Sequence, residues 1–172
     1  GGVQHNLAFN YPFPLAIERA QGSRFWDVDG NEYIDFLQAG GPTVLGSNHE
    51  PLRRQVQEVV EESGPVTGLF HEYELKLAEL VARLMPAVET FRMLGSGTES
   101  VMAALRAART FTGNEWVIKI GGAYHGWSDQ MVYGLHVPGT WRFEAKGIPF
   151  GATARTREVF PCDLDALRRK LR

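Results

Sequence analysis

The sequence predicts an α/β fold with a mostly parallel sheet, preceded by a β-hairpin segment. Three observations carry this. A short apolar run at Phe91, Met93 and Leu94 is followed by the turn Gly95-Ser96-Gly97-Thr98 and a strong amphipathic helix. A second apolar run, Trp116 to Ile120, is followed by a glycine and aromatic loop, Gly121 to Trp127. Between Ser23 and Leu37, Asp29-Gly30-Asn31 separates two β-rich runs, which is a strong hairpin signal.

Taken in order, residues 1–22 carry Pro12 and Pro14 and read as an extended arm with little regular structure. In the hairpin, Val28, Ile34 and Phe36 are expected to share a buried face. Gly40-Gly41-Pro42 and Gly46 make the next segment a sharply turning loop. Asn48-His49-Glu50-Pro51 opens a helix with proline in its first turn, and Leu52, Val56, Val59 and Val60 form its apolar stripe up to Ser63-Gly64-Pro65. A second amphipathic helix is expected from Glu72 to Met85, with Leu77, Leu80, Val81 and Leu84 inward and Pro86 ending it. The helix after Thr98 places Val101, Met102, Leu105 and Ala108 on one face, with Gly113 beyond its end. Residues 128–155 predict no definite element. Thr156 to Phe160 reads as a third strand, and Asp163 as the cap of a last helix, Leu164 to Leu171. Residues 1–50 are thus read as an arm and hairpin segment, and 51–172 as the start of an incomplete α/β domain.

Composition narrows the function. With 18 basic and 20 acidic residues the net charge is −2, which argues against nucleic acid or an acidic membrane as partner. The single cysteine, Cys162, excludes an intrachain disulfide and suggests a reducing, cytoplasmic compartment. No apolar run approaches the roughly 18 residues of a membrane span, and no signal peptide is visible. The chain begins with Gly1-Gly2-Val3, so its true start is expected upstream. No metal site is called for.

In parallel sheets, ligands bind beyond the C-terminal strand ends. The loops Gly95–Thr98 and Gly121–Trp127 both fall there. Glycines before a helix N-terminus allow an anion to approach unpaired N–H groups. The same residues also read as ordinary capping, because Ser96 and Glu99 have capping-box spacing. Glu99 would oppose a phosphate unless it points away. The turn is neither a Walker A loop nor a dinucleotide fingerprint. A phosphate cradle beside Tyr124 and His125 suits a flat, phosphorylated cofactor, with Tyr124 stacked on its ring.

An ordered set of motifs resembles the class III aminotransferases, pyridoxal 5'-phosphate enzymes of fold type I, and within them the glutamate-1-semialdehyde 2,1-aminomutase branch. The set runs from Gly1-Gly2-Val3 through Ile17-Glu18-Arg19-Ala20 and Gly22, Trp26 to Asn31, and Tyr33-Ile34-Asp35. It continues with Gly41-Pro42, Leu45-Gly46, His49, Ser96 to Ser100, Gly122 and Tyr124-His125-Gly126. It closes with Gly147-Ile148-Pro149 and Asp163 to Leu167. The resemblance implies that Ser96, Gly97 and Thr98 hold the cofactor phosphate, with Tyr124 on the pyridine ring and His125 beside it. Gly41 would border the substrate pocket, and Trp127, with Phe9, Tyr11 and Phe13, would suit an apolar pocket or plain packing. The resemblance also implies a homodimer with shared active sites, the Val66–Phe70 region reaching the partner, and small-molecule amino donors and acceptors.

Two departures qualify the resemblance. The family's cofactor-bonding lysine lies further downstream, and Lys76, Lys119, Lys146 and Lys170 do not match its motif, so no catalytic residue is assigned in this chain. Lys119 reads as a strand-end residue. Residues 4–16 contain no arginine to grip a substrate carboxylate as the aminomutase does, which leaves an aminotransferase acting on a β-amino acid or an apolar amine as a reading. The alternative is a lysine-free short homologue acting as a non-catalytic binding or partner subunit.

Overall fold

A computed structural model describes residues 14–63, 68–134 and 145–172. The arm aromatics Phe9, Tyr11 and Phe13, the Gly1-Gly2-Val3 motif and Val66 lie outside the described residues. The chain gathers into two compact units, residues 1–69 and 70–172.

The first unit is built on an antiparallel sheet of β1 (Ile17–Gln21), β2 (Arg24–Asp27) and β3 (Glu32–Ile34), in that order. The expected arm therefore ends in a strand. Gln21 pairs with Arg24 across Gly22-Ser23, and Gly22 sits at φ +58°, as a two-residue hairpin turn requires. The second hairpin closes through Val28-Asp29-Gly30, with the Gly30 N–H donating to the Asp27 carbonyl at 3.0 Å and Gly30 at φ +84°.

The expected apolar face of that hairpin is not found. Val28, Ile34 and Phe36 are exposed, whereas Asp27 is buried. The Asp27 carboxylate explains the inversion. It accepts from the Asp29 N–H (3.1 Å), the Asn31 N–H (2.8 Å), the Asn31 side-chain amide (3.0 Å) and the Tyr33 hydroxyl (2.9 Å). A buried carboxylate needs such partners, and here the turn itself supplies them.

After β3, Gln38–Gly40 forms a short 3-10 turn capped by Gly41 at φ +113°. Gln38 and Ala39 also adopt positive φ, a strained arrangement for residues with side chains. Thr43 Oγ1 donates to the Gln38 side-chain oxygen at 3.0 Å, bracing that turn. Gly22 and Ser47 exchange two backbone hydrogen bonds of 2.8 Å, and a Cβ at Gly46 would stand 2.9 Å from the Gly22 Cα. Helix α1 (Glu50–Ser63) follows, with Pro51 in its first turn as expected.

The second unit opens with α2 (Glu72–Leu84), whose N-terminus carries a capping box that the sequence reading missed: His71 caps, and Glu74 reaches back. Next comes α3 (Gly97–Thr112), closed by Gly113 at φ +71°. Strands β4 (Val117–Ile120) and β5 (Thr156–Val159) are parallel neighbours, with Lys119 opposite Glu158. The segment between them contributes α4 (Asp129–Val132) and α5 (Phe150–Thr153), where no element was expected. Helix α6 (Leu164–Lys170) starts at Asp163, whose carboxylate accepts from the Ala166 N–H at 2.8 Å.

Phe91–Leu94 is not a strand. A strand exists through its ladder, and among the described residues β4 and β5 pair only with each other in this unit. Phe91 and Met93 are exposed. The helical stripes are open too: Leu52, Val56 and Val60 of α1, Leu77, Leu80 and Leu84 of α2, and Met102 of α3 are exposed. The buried apolar core among the described residues is Met131, Val132 and Val159, under α4 and β5. A groove of about 920 Å³ is bordered by Val101 and Leu105 of α3, Ile118 and Ile120 of β4, and Leu167 of α6.

Candidate functional site

The site is assembled in the second unit where two loops meet. The first is the start of α3. Ser96 is extended and caps the helix, its hydroxyl accepting from the Glu99 N–H at 3.2 Å. That leaves the first-turn N–H groups of Gly97 and Thr98, which have no acceptor within a helix and lie at its positive end. Ser96 and Gly97 are exposed.

The capping box is only half formed. Glu99 does not reach the Ser96 N–H. Its carboxylate instead accepts from the Ser96 hydroxyl at 3.1 Å and folds back over Gly95, 2.7 Å from where a Cβ would stand. The acidic group therefore occupies the approach to the helix end.

The second loop leaves β4 at Gly121, whose N–H donates to the Val159 carbonyl at 2.8 Å. His125 Nε2 donates to the Ile120 carbonyl at 3.0 Å. A carbonyl can only accept, so Nε2 carries a proton in this contact. The loop then turns at Gly126, φ +109°, which presses on the first turn of α3: a Cβ there would stand 3.1 Å from Thr98 Cα and 3.2 Å from Thr98 Oγ1. The next residue completes the join, with the Trp127 N–H donating to Thr98 Oγ1 at 3.1 Å.

Ser96, Gly97, Thr98, His125, Gly126 and Trp127 thus lie on two loops tied together by Thr98. Tyr124 sits between the His125 anchor and Gly122 with its side chain 62% exposed, free to present a ring face to a ligand. Trp127 is also largely exposed. Gly41 belongs to the first unit, at the end of its strained turn. The sequence reading missed Gly126 as the contact residue. Its signal was a glycine immediately after an aromatic-His pair.

A phosphorylated aromatic ligand fits this arrangement in two respects. The glycine turn offers N–H groups at a helix end, and an open tyrosine lies one tethered loop away. Glu99 is the unfavourable element. Glu99→Gln is expected to tighten binding of a phosphate-bearing ligand by about three- to tenfold at low salt, with the gain shrinking as salt rises. Titration at two ionic strengths checks this, and equal or weaker affinity would assign Glu99 the role of holding Ser96. Among the described residues no cluster of metal-ligating side chains is present, and no helix is long and apolar enough to cross a membrane.

The chain is similar to known proteins. Residues 7–133 match the family described as aminotransferase class-III. The chain is 41% identical over 157 residues to a glutamate-1-semialdehyde 2,1-aminomutase 2 of an Exiguobacterium species, covering 90% of this chain and 36% of that protein. Its fold is similar to an omega-transaminase from Sphaerobacter thermophilus, with TM-score 0.87 and 27% identity over 98% of this chain and 40% of the other. It is likewise similar to a transaminase with PLP bound, with TM-score 0.83 and 32% identity over 96% of this chain and 40% of the other. The chain spans little more than a third of the length of these proteins.

Proposed function

Since the chain belongs to the class-III aminotransferase family, we propose that it supplies the phosphate- and ring-binding part of a pyridoxal 5'-phosphate enzyme that moves amino groups on small molecules. The observation that carries this reading is the Trp127 N–H to Thr98 Oγ1 bond, which brings the ring loop to the phosphate turn. Ser96, Gly97 and Thr98 would hold the phosphate, through the first-turn N–H groups and the Thr98 hydroxyl, with the Ser96 hydroxyl joining them once its proton is released from Glu99. Thr98 has a double role, because its oxygen already accepts from Trp127 while its proton stays available to an anion. Tyr124 would lie on the pyridine ring, with His125 keeping that loop against the end of β4. Bound there, the cofactor supplies an electron sink that eases proton movement at the substrate carbon bearing nitrogen.

The lysine that bonds the cofactor is assigned to a segment outside this chain, and none of Lys76, Lys119, Lys146 or Lys170 is given that role. Trp127 in the second unit is a proposed substrate-pocket residue, and Gly41 is the proposed one in the first. A cytoplasmic homodimer with shared sites is the proposed assembly.

Transfer to a separate acceptor is favoured over rearrangement within one skeleton, because residues 4–16 contain no arginine to hold a substrate carboxylate. The test uses the full-length protein. It should take up pyridoxal 5'-phosphate with a visible absorption band, borohydride should trap the cofactor on a lysine outside this segment, and turnover should require an added amino acceptor. No uptake would overturn the cofactor reading. Turnover without an acceptor would turn the assignment to an aminomutase.

A further inference from the structure

The most buried cation among the described residues is not at the loops but beneath them. Lys119, one residue from the C-terminal end of β4, is 5% exposed. Its ammonium donates to the Met131 carbonyl at 2.8 Å and to the Tyr133 carbonyl, and pairs with Glu158 Oε1 at 3.3 Å. A lysine has three protons to donate, and three oxygens surround this one, with Glu158 Oε1 at ion-pair distance rather than in a hydrogen bond. Two are backbone carbonyls at the end of α4, twelve and fourteen residues further along the chain.

We propose that Lys119 is a positioning residue, which clamps the far end of segment 121–134 to β4 and so holds Tyr124–Trp127 in place for the cofactor. The proposal rests on the cofactor reading above. The near end of the segment is fixed by the Gly121 N–H and by His125 Nε2. Its middle is tied to α3 through Trp127. The far end has Met131 and Val132 buried, and its carbonyls converge on Lys119.

Gly134 belongs to the same clamp. A Cβ there would stand 1.7 Å from Glu158 Oε1, so the chain passes where only glycine leaves room for that carboxylate. An ammonium taken out of water is costly unless every proton is satisfied. An apolar side chain would fill the space but make no bond to the two carbonyls. The loop's far end would then be held by packing alone.

The experiment compares full-length Lys119→Met, Gly134→Ala and Asp163→Ala with the unaltered protein. Asp163→Ala removes the cap of α6 in the same unit without removing any of the groups that hold Lys119. Backbone hydrogen exchange is read without cofactor, and pyridoxal 5'-phosphate affinity, kcat at saturating cofactor and melting temperature are read separately. In Lys119→Met the Trp127 amide should exchange about tenfold faster and cofactor affinity should fall about tenfold, with kcat at saturation nearly retained. Gly134→Ala should reproduce the exchange pattern, and it decides the matter if Lys119→Met does not fold. The proposal is overturned if Trp127 exchange is unchanged in the folded variants, or if Asp163→Ala weakens the cofactor equally at the same loss of melting temperature. If the unaltered protein takes up no cofactor, the function assigned above fails, and the exchange data alone decide whether Lys119 holds the loop.

Discussion

Gly126→Ala should weaken pyridoxal 5'-phosphate binding by at least about tenfold and destabilise the second unit by about 1–3 kcal/mol. Two independent costs meet at this position. The φ of +109° is one that side-chain-bearing residues rarely adopt, and the new Cβ would stand 3.1 Å from the Thr98 backbone. The neighbour is main chain in the first turn of α3, which cannot swing aside as a flexible side chain can. Relief must come from parting the two loops, which breaks the Trp127 to Thr98 bond. Gly122→Ala provides the control. Gly122 also has positive φ, +77°, but nothing lies within 4 Å of its would-be Cβ. It should cost about 1–2 kcal/mol in backbone conformation and leave cofactor affinity nearly unchanged. Thermal melts and cofactor titrations of the pair separate the two costs. Equal affinity losses would show that loop conformation, not contact with Thr98, governs the site.

The second large effect is expected far from any ligand. Asp27→Ala should unravel the β1–β3 sheet while leaving exchange in the second unit unchanged, because it strips four donors of their shared acceptor. Asp27→Asn should not rescue it. An amide offers one acceptor oxygen, and its NH2 would face the donors of Asn31 or Tyr33. A hairpin as stable in Asp27→Asn as in the parent would refute this account. The charge also sets a pH dependence. The Asn31 side-chain amide is the largest influence holding the Asp27 carboxyl below its ordinary range, with the Asn31 N–H, Tyr33 and Asp29 adding to it against burial. A lowered folded pKa means that the stabilisation is present above the unfolded value, about 3.8, and is lost as pH falls towards the folded value. At the alkaline end the sign reverses for Tyr33, whose hydroxyl is held above its usual value chiefly by donation to Asp27. Its contribution is present below pH 10 and fades as pH rises through the folded value. Hydrogen exchange in the hairpin across acid and alkaline series checks both limbs.

What could be read from the sequence was mainly what is local. Asp29-Gly30, Ser96 before α3, Gly113 after it and Asp163 before α6 each act within a few residues, and each does in the structure what its chemistry suggests. The Gly22-Ser23 turn carries a glycine of the same kind, but the strand before it, Ile17–Gln21, has no β-rich pattern to mark it. Phe91–Leu94 failed for a different reason. Apolar character says that a segment seeks cover, but strand structure depends on a neighbour that composition does not reveal. Apolar character alone points Val28 and Phe36 inward, whereas the turn needs the carboxylate of Asp27 there instead. Lys119 stands one residue from the end of β4, but its burial is not legible in the sequence. Its acceptors are carbonyls, which leave no mark in side-chain pattern. At the site, residue types were legible, but the direction of Glu99 and the contact at Gly126 were not.

The polar knot at Asp27 also bears on the order in which the chain acquires structure. All of its bonds close within six residues, so the loop entropy lost in making it is small. The β4–β5 ladder joins Val117 to Thr156, across a far longer stretch of chain. Closing that distance comes at a greater entropic cost and on a slower timescale than the microseconds typical of a hairpin. Residues 24–34 are therefore expected to be native-like while the parallel pair is still open. During synthesis this hairpin would emerge ahead of the β4–β5 pair, with its polar knot able to close before those strands meet.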